Sequence, residues 1–274
     1  MREQYQYGFL KWPGGKNKCL SRLFRTIPRE GQRLVELFVG SAAFSLNTDY
    51  DEYVLADWNG DLILLYQHIV HNLDEVKSKS LYLILNKNNE VDYYRLRDLF
   101  NAQTIQGVDR AAMFLYFCRV GFKGLVRYSK KTGYNVPFGG YKQPYFPEDE
   151  MDFFAGKFKD ATILHANFTD AFEKTNPSIN DVYYLDPPYV NLNDTRSFVH
   201  YTADGFKREQ HLELDLLSMK ARKNGAQVYL SNHDSKELDD LYLHYSTKKR
   251  FRVGRSISAK AKKHKKAPEV LLLY

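Results

Sequence analysis

Residues 33–47 read RLVELFVGSAAFSLN. The apolar run from Leu34 to Val39, broken only by Glu36, has the length of a short buried strand; Gly40 ends it as a tight turn, and a helix is expected to begin near Ser41. Strand, glycine turn and helix in that order open an α/β sheet. YVLAD, residues 53–57, follows as a second strand, and Asp57 stands close to the roughly 20-residue offset from Gly40 at which an acid accepts a ribose hydroxyl. The three-glycine dinucleotide fingerprint is absent, which disfavours a nicotinamide enzyme while leaving an adenosine-type ligand well suited. Upstream, Leu20, Leu23, Phe24 and Ile27 fall at helical spacing, so the GGK of residues 14–16 is expected to open a helix.

Downstream, helical patterns dominate residues 61–117 (DLILLYQHIV, DYYRLRDLF, AAMFLYFC), and strands resume only at ATILHA (161–166) and DVYYLDPPY (181–189). The sheet is therefore expected to be interrupted by a mostly helical insertion from about Trp58 to Phe146, with QVYLSNHD (227–234) and EVLLLY (269–274) as its further strands. Length agrees, since 274 residues suit one α/β core with an insertion. With 43% hydrophobic and 27% charged residues, wholesale disorder and disulfide scaffolds are excluded. No apolar run approaches the roughly 18 residues of a membrane span, and the amino terminus carries no targeting pattern, so a cytoplasmic protein is expected. Cys19 and Cys118 lack metal-binding spacing and read as reduced thiols.

The net charge of +7 is unevenly placed. From Arg110 to Pro147 lie seven basic residues and no acid; from Leu241 to Pro268 lie ten, again with no acid, and the rest of the chain is net acidic. A solvated face would account for the Lys260–Lys266 run alone, but two such stretches on an otherwise acidic chain point to a polyanionic partner. In the first stretch aromatics and glycines interleave with the basic residues, which is the contact chemistry of nucleic acid: rings stack on bases or wedge between steps, and arginine forks read guanine edges. SKKTGYN (129–135) resembles a hairpin tip with Gly133 at positive φ, whose strands are expected to present Arg127 and Tyr134 outward.

The most specific signal is Asp186-Pro187-Pro188-Tyr189, directly after the apolar strand VYYL, because ligands of open α/β sheets bind beyond the carboxyl ends of strands. An exocyclic aromatic amine is a poor nucleophile, its lone pair being delocalised into the ring. Accepting both of its hydrogens, one on the Asp186 carboxylate and one on the Pro187 carbonyl, localises that pair. Proline fixes the backbone, and Tyr189 offers a face on which a flipped base can stack.

In the order and spacing of FLKWPGGK (9–16), LVELFVGSAAFSLN (34–47), LADWNGDLI (55–63), RVGFKGLVRY (119–128), NVPFGGYKQPYFPE (135–148), YYLDPPY (183–189), LSNHD (230–234) and GRSIS (254–258), the chain resembles the Dam-type DNA adenine methyltransferases over nearly its full length. The resemblance implies a Rossmann-like class I methyltransferase sheet of seven strands, with residues 1–57 and 148–274 as the catalytic domain and 58–147 as the target-recognition domain. It implies S-adenosylmethionine as cofactor, with Trp12 and Lys16 lining its site, Glu36, Phe38 and Gly40 beside the methionine moiety, Asp57 on the ribose and Asp186 between cofactor and base. No metal is implied.

Double-stranded DNA is the implied partner, with GATC the expected site and base flipping the expected route. Phe122 would wedge into the duplex, Leu125 and Pro137 would touch thymine methyls, Arg127 would read a guanine, and Lys11 and Tyr141 would complete the reading set. Lys123 stands where relatives carry asparagine, Gly140 where they carry arginine, and Pro13 where they often carry alanine. A monomer without an obligate protein partner is expected. Methylation of RNA or of a protein amide poses the same electronic problem to a D-P-P-Y platform, and a non-catalytic DNA-binding relative would share the basic hairpin; labelled methyl incorporation into DNA, RNA or protein separates the three.

Overall fold

The computed structural model describes residues 4–12, 14–190, 206–254 and 266–274. Nine strands are present among them: β1 (Glu30–Glu36), β2 (Asp49–Asp57), β3 (Tyr128–Ser129), β4 (Gly133–Tyr134), β5 (Thr162–His165), β6 (Asp181–Leu185), β7 (Gln227–His233), β8 (Thr247–Gly254) and β9 (Lys266–Leu273). The helices are α1 (Leu20–Leu23), α2 (Gly60–His71), α3 (Leu73–Asn86), α4 (Glu90–Asn101), α5 (Gly107–Val120), α6 (Glu148–Lys157), α7 (Phe168–Thr175), α8 (Arg208–Lys223) and α9 (Lys236–Asp239).

Seven strands form one sheet in the order β5-β2-β1-β6-β7-β9-β8. Pairing is parallel from β5 to β7, and β9 runs antiparallel between β7 and β8. The chain moves outward from β1 to β2 and β5, then returns to the other side of β1 for β6 and β7, so the strand order reverses between β1 and β6. Ligands bind at such a reversal, beyond the carboxyl ends of the strands. Side chains alternate between two cores: Leu34, Leu55 and Tyr184 face one, while Val35, Val54, Tyr183 and Leu185 face the other with Phe172 of α7 and Leu214 of α8. The first core continues without a break through Tyr66 of α2 to Phe100, Phe117 and Tyr134 of the insertion. The described helices include none long and apolar enough to cross a membrane.

Four local expectations are corrected. The helix after Gly40 is absent: Gly40 and Ala42 both take left-handed backbone (φ +47° and +56°), and one 3₁₀ turn at Ser45–Asn47 leads straight into β2. The segment after GGK is likewise a 3₁₀ turn followed by the four-residue α1 rather than one helix. KKRFRV, read as part of a charged patch, is the edge strand β8. Its charges have partners remote in sequence, Lys248 to Asp234 (2.8 Å) and Asp239 (2.6 Å) and Arg250 to Asp234 (3.0 Å), so these residues hold a sheet edge together. Finally, Tyr134 points inward and is fully buried.

Two basic residues of the first patch are core residues as well. Arg110 pairs with Asp61 at 2.6 Å and donates to the Phe100 carbonyl, and Arg119 donates to the Tyr145 carbonyl at 2.7 Å. Tyr128 also sends its hydroxyl to Asp61 (2.6 Å). A buried guanidinium needs such partners, and these two are therefore withdrawn from any ligand.

Candidate active site and nucleic-acid interface

The carboxyl ends of β1, β2, β6 and β7 converge on one edge of the sheet, and each delivers a polar group there. β6 ends at Leu185, placing Asp186 at the reversal point, partly exposed. Two donors meet its Oδ1: the Lys16 ammonium at 2.7 Å and the Ser231 hydroxyl of β7 at 2.9 Å. Among the described residues no hydrogen bond ends on Oδ2. Lys16 is itself only 5% exposed, which excludes a solvated helix cap, and it also donates to the Tyr189 hydroxyl at 2.9 Å. Tyr189 in turn donates to Glu269 of β9 at 2.8 Å, and its ring lies alongside that of His233. Burial by itself would lower the Lys16 pKa, but Asp186, with Tyr189, Tyr184 and Glu269, outweighs it and holds the ammonium charged well above its usual range. Glu269 belongs to a segment that sequence reasoning treated only as a strand.

The second group surrounds Gly40. Asp57, at the end of β2, accepts the Gly40 amide on Oδ2 (3.1 Å) and the Asn59 amide on Oδ1 (2.9 Å), and burial raises its pKa despite them. A Cβ built on Gly40 would come within 3.0 Å of the Trp12 indole nitrogen, so the indole lies against the turn, and only glycine fits both that contact and the positive φ. Tyr66 of α2 donates to the Gly40 carbonyl from behind. Glu36, at the end of β1 and 3% exposed, accepts the Ser45 amide at 2.8 Å. Phe38 lies apart from these, packed between Phe168 and Phe206 on the other face of the sheet.

Burial pushes the Glu36 carboxyl up to about 8, against the lowering effect of Ser45. Because the folded state binds this proton more tightly than the unfolded chain, the contribution to stability is complete below the ordinary value of 4.5 and is lost as pH rises through about 8. Thermal melts between pH 6 and 9, as test conditions, are expected to show a fall of several degrees that Glu36→Gln largely removes, since the amide keeps the acceptor for Ser45 and cannot ionise. Equal pH slopes for both proteins would refute this.

The third group is the insertion's exposed edge. Phe122 is 41% exposed on the loop after α5, which is stitched to the 137–141 segment by the Phe122 amide on the Pro137 carbonyl (2.9 Å) and the Gly139 amide on the Val120 carbonyl (2.9 Å). The Lys123 amide donates to the Tyr141 hydroxyl at 2.9 Å, and the Lys11 ammonium sits 5.5 Å from the Tyr141 ring centre. Burial, then Arg119, lowers the Lys11 pKa. Lys123 has left-handed backbone (φ +56°), a conformation asparagine adopts more readily than lysine, and its ammonium lies 5.1 Å from the Phe122 ring centre. Leu125 is half-buried on the same loop and Pro137 is exposed. Lys11, Phe122, Lys123, Leu125, Pro137 and Tyr141 are thus brought together, and the segment from Lys11 to Lys16 leads from them to Asp186. Arg127 lies farther along, on the hairpin. Arg255–Ser258 of GRSIS and Lys260–Lys265 lie outside the described residues.

The profile of the D12 class N6 adenine-specific DNA methyltransferases matches residues 12–254. The chain is 38% identical over 277 residues to a DNA adenine methylase of Vibrio cholerae serotype O1, covering 98% of this chain and 96% of the relative. With the DNA adenine methylases of Salmonella typhi and Escherichia coli (strain K12) the identities are 39% over 272 residues and 38% over 271, in each case covering 97% of this chain and 94% of the relative. A parallel sheet with its last strand reversed, an acid at the strand-order reversal and a near full-length match carry one conclusion: the chain belongs to the family of D12 class N6 adenine-specific DNA methyltransferases.

Proposed function

We propose that this enzyme transfers a methyl group from S-adenosylmethionine to the 6-amino group of adenine in duplex DNA, within GATC, after turning the adenine out of the helix. The supporting observation is Asp186: a carboxylate at the strand-order reversal with Oδ1 held by Lys16 and Ser231. Its Oδ2 and the Pro187 carbonyl accept the two amine hydrogens, localising the nitrogen lone pair. Pro187 and Pro188 keep that carbonyl in place, and Tyr189 stacks on the base.

The residues around Gly40 suit such a cofactor. Trp12, Lys16 and Gly40 would line its site, Glu36 would meet the ammonium of the methionine part and Asp57 the ribose, while Phe38, packed with Phe168 and Phe206 on the other face of the sheet, is left out of the set. When bound, the sulfonium supplies an activated methyl group. Burial, which pushes the Glu36 carboxyl up to about 8, suits it to ionise against that ammonium rather than to stand charged alone.

Residues 58–147 form the recognition unit of this reading, flanked by catalytic parts at 1–57 and 148–274. Phe122 supports the opened stack, Leu125 and Pro137 meet thymine methyls, Arg127 reads guanine, and Lys11 and Tyr141 act at the other end of the site. Lys123 holds a phosphate beside the opened step, and Gly140, exposed and without the arginine of relatives, loosens dependence on flanking sequence. The Lys260–Lys266 run adds phosphate contacts. Because a palindrome repeats the reading problem on each strand, a monomer suffices, working in the cytoplasm on duplex DNA.

DNA from cells that lack other methyltransferases and express this protein is expected to resist a nuclease blocked by methyladenine in GATC. Modified-base sequencing that finds another core overturns the target, and methyl label appearing in RNA or protein instead of DNA overturns the substrate.

A further inference from the structure

The outer face of the β3–β4 hairpin carries a pair of residues that act as one. Val126, Tyr134 and Val136 are buried, and Tyr128 reaches inward to Asp61, so the residues between them, Arg127 and Asn135, share the opposite face. They face each other across the hairpin, one step beyond the Tyr128–Tyr134 pair. The Asn135 amide donates to the Arg127 carbonyl at 3.1 Å, Arg127 Nε donates to Asn135 Oδ1 at 2.5 Å, and Nη2 donates to the Asn135 carbonyl at 3.0 Å.

Asn135 is in turn held by its neighbours. Asn101 bonds both the amide (2.8 Å) and the carbonyl (2.9 Å) of Tyr134, and Tyr93 and Arg97 donate to the Val136 carbonyl at 3.0 and 3.3 Å. A guanidinium has five N–H donors in a planar fork. The Nε–Nη2 edge is spent on Asn135, which leaves the Nη1–Nη2 end, the pair of donors that matches guanine O6 and N7.

We infer that Asn135 is a positioning residue for specificity: it fixes the Arg127 guanidinium so that its free end faces the base edge, without touching DNA itself. This rests on the reading of Arg127 as the guanine contact. An arginine without this partner would divide its time among rotamers and among other acceptors, including phosphates, and would lose selectivity before it lost affinity.

The test is the ratio of kcat/KM on GATC duplex to that on duplex with the outer G·C pair replaced, measured for wild type, Arg127→Ala, Asn135→Ala, Asn135→Asp and the double alanine variant, with thermal melts confirming folding. Asn135→Ala is expected to lose most of the discrimination that Arg127→Ala loses, about fivefold or more. The double variant should lose no more than Arg127→Ala alone, and affinity for random duplex should stay unchanged in Asn135→Ala. Asn135→Asp keeps the acceptor and should restore the ratio. The inference is overturned if Asn135→Ala keeps full discrimination while Arg127→Ala loses it, or if the two losses add. It is also overturned if Asn135→Asp discriminates worse than Asn135→Ala, as a residue contacting phosphate directly would. An unchanged ratio in Arg127→Ala overturns the underlying reading instead, so the two failures are distinguishable.

Discussion

Asp186→Ala is expected to abolish methyl transfer, lowering kcat by at least about a hundredfold, the cost of removing one preorganised group aimed at developing charge. The adenine amine would lose its carboxylate acceptor, and no neighbour replaces it: Lys16 is only a donor, Glu269 is engaged with Tyr189, and Ser231 offers a neutral hydroxyl without the negative charge. Lys16 keeps Tyr189 and Glu269 around it, so the buried ammonium is not stranded and the protein should fold. Duplex binding should persist, because in the proposed reading it is assigned to the exposed loop and hairpin of the insertion. The measurement is single-turnover methylation together with DNA binding and a melting curve. A folded Asp186→Ala protein that keeps more than about a few per cent of wild-type kcat would remove Asp186 from the chemistry.

Arg127→Ala should act on choice rather than on rate. A bidentate arginine on guanine contributes about 1 to 3 kcal/mol of discrimination, or roughly fivefold to a hundredfold in the ratio between GATC and a site altered at its outer base pair. Half-buried on the hairpin and tied to Asn135, Arg127 is poorly placed to behave as a mobile phosphate cation. Affinity for random duplex should therefore change less than the ratio does, and the salt dependence of binding should be nearly kept. Uniform weakening on all sequences, with a shallower salt slope, would make Arg127 a phosphate contact.

What the sequence made legible was local. The buried run before Gly40, the acid at the end of YVLAD and the D-P-P-Y after VYYL each lie within a few residues of the backbone feature that gives them meaning, and the structure has all three at the ends of adjoining strands. Relations set by distant residues were hidden. Nothing in FVGSAAF announces that Ala42 adopts left-handed backbone, so a helix was expected where one 3₁₀ turn stands. Lys248, Arg250 and Arg252 alternate with Phe251 and Val253, yet the density of charge masked that period of two, and Asp234 and Asp239, the partners of Lys248 and Arg250, lie outside the strand, before it in sequence. Arg110 looked like a ligand contact because Asp61 is far away in sequence. On the hairpin the error was one residue of register, which puts Tyr134 in the core and hands its outward place to Asn135.

The pairing of β1 with β6 also sets the order in which this protein can fold. Arg33 lies opposite Asp181 in the sheet and bonds its carboxylate through both Nε (2.7 Å) and Nη2 (2.6 Å), yet the two are 148 residues apart, and the whole insertion lies between them. Closing so long a loop is expensive while the chain is disordered, but the expense grows only with the logarithm of its length and shrinks once the intervening helices have collapsed into a compact body. The insertion should therefore gain structure first, from contacts among neighbouring helices, with the β1–β6 seam joining late and slowly. Asp186, at the strand-order reversal, lies on that seam, so refolding chains should recover helical signal before they recover catalytic competence.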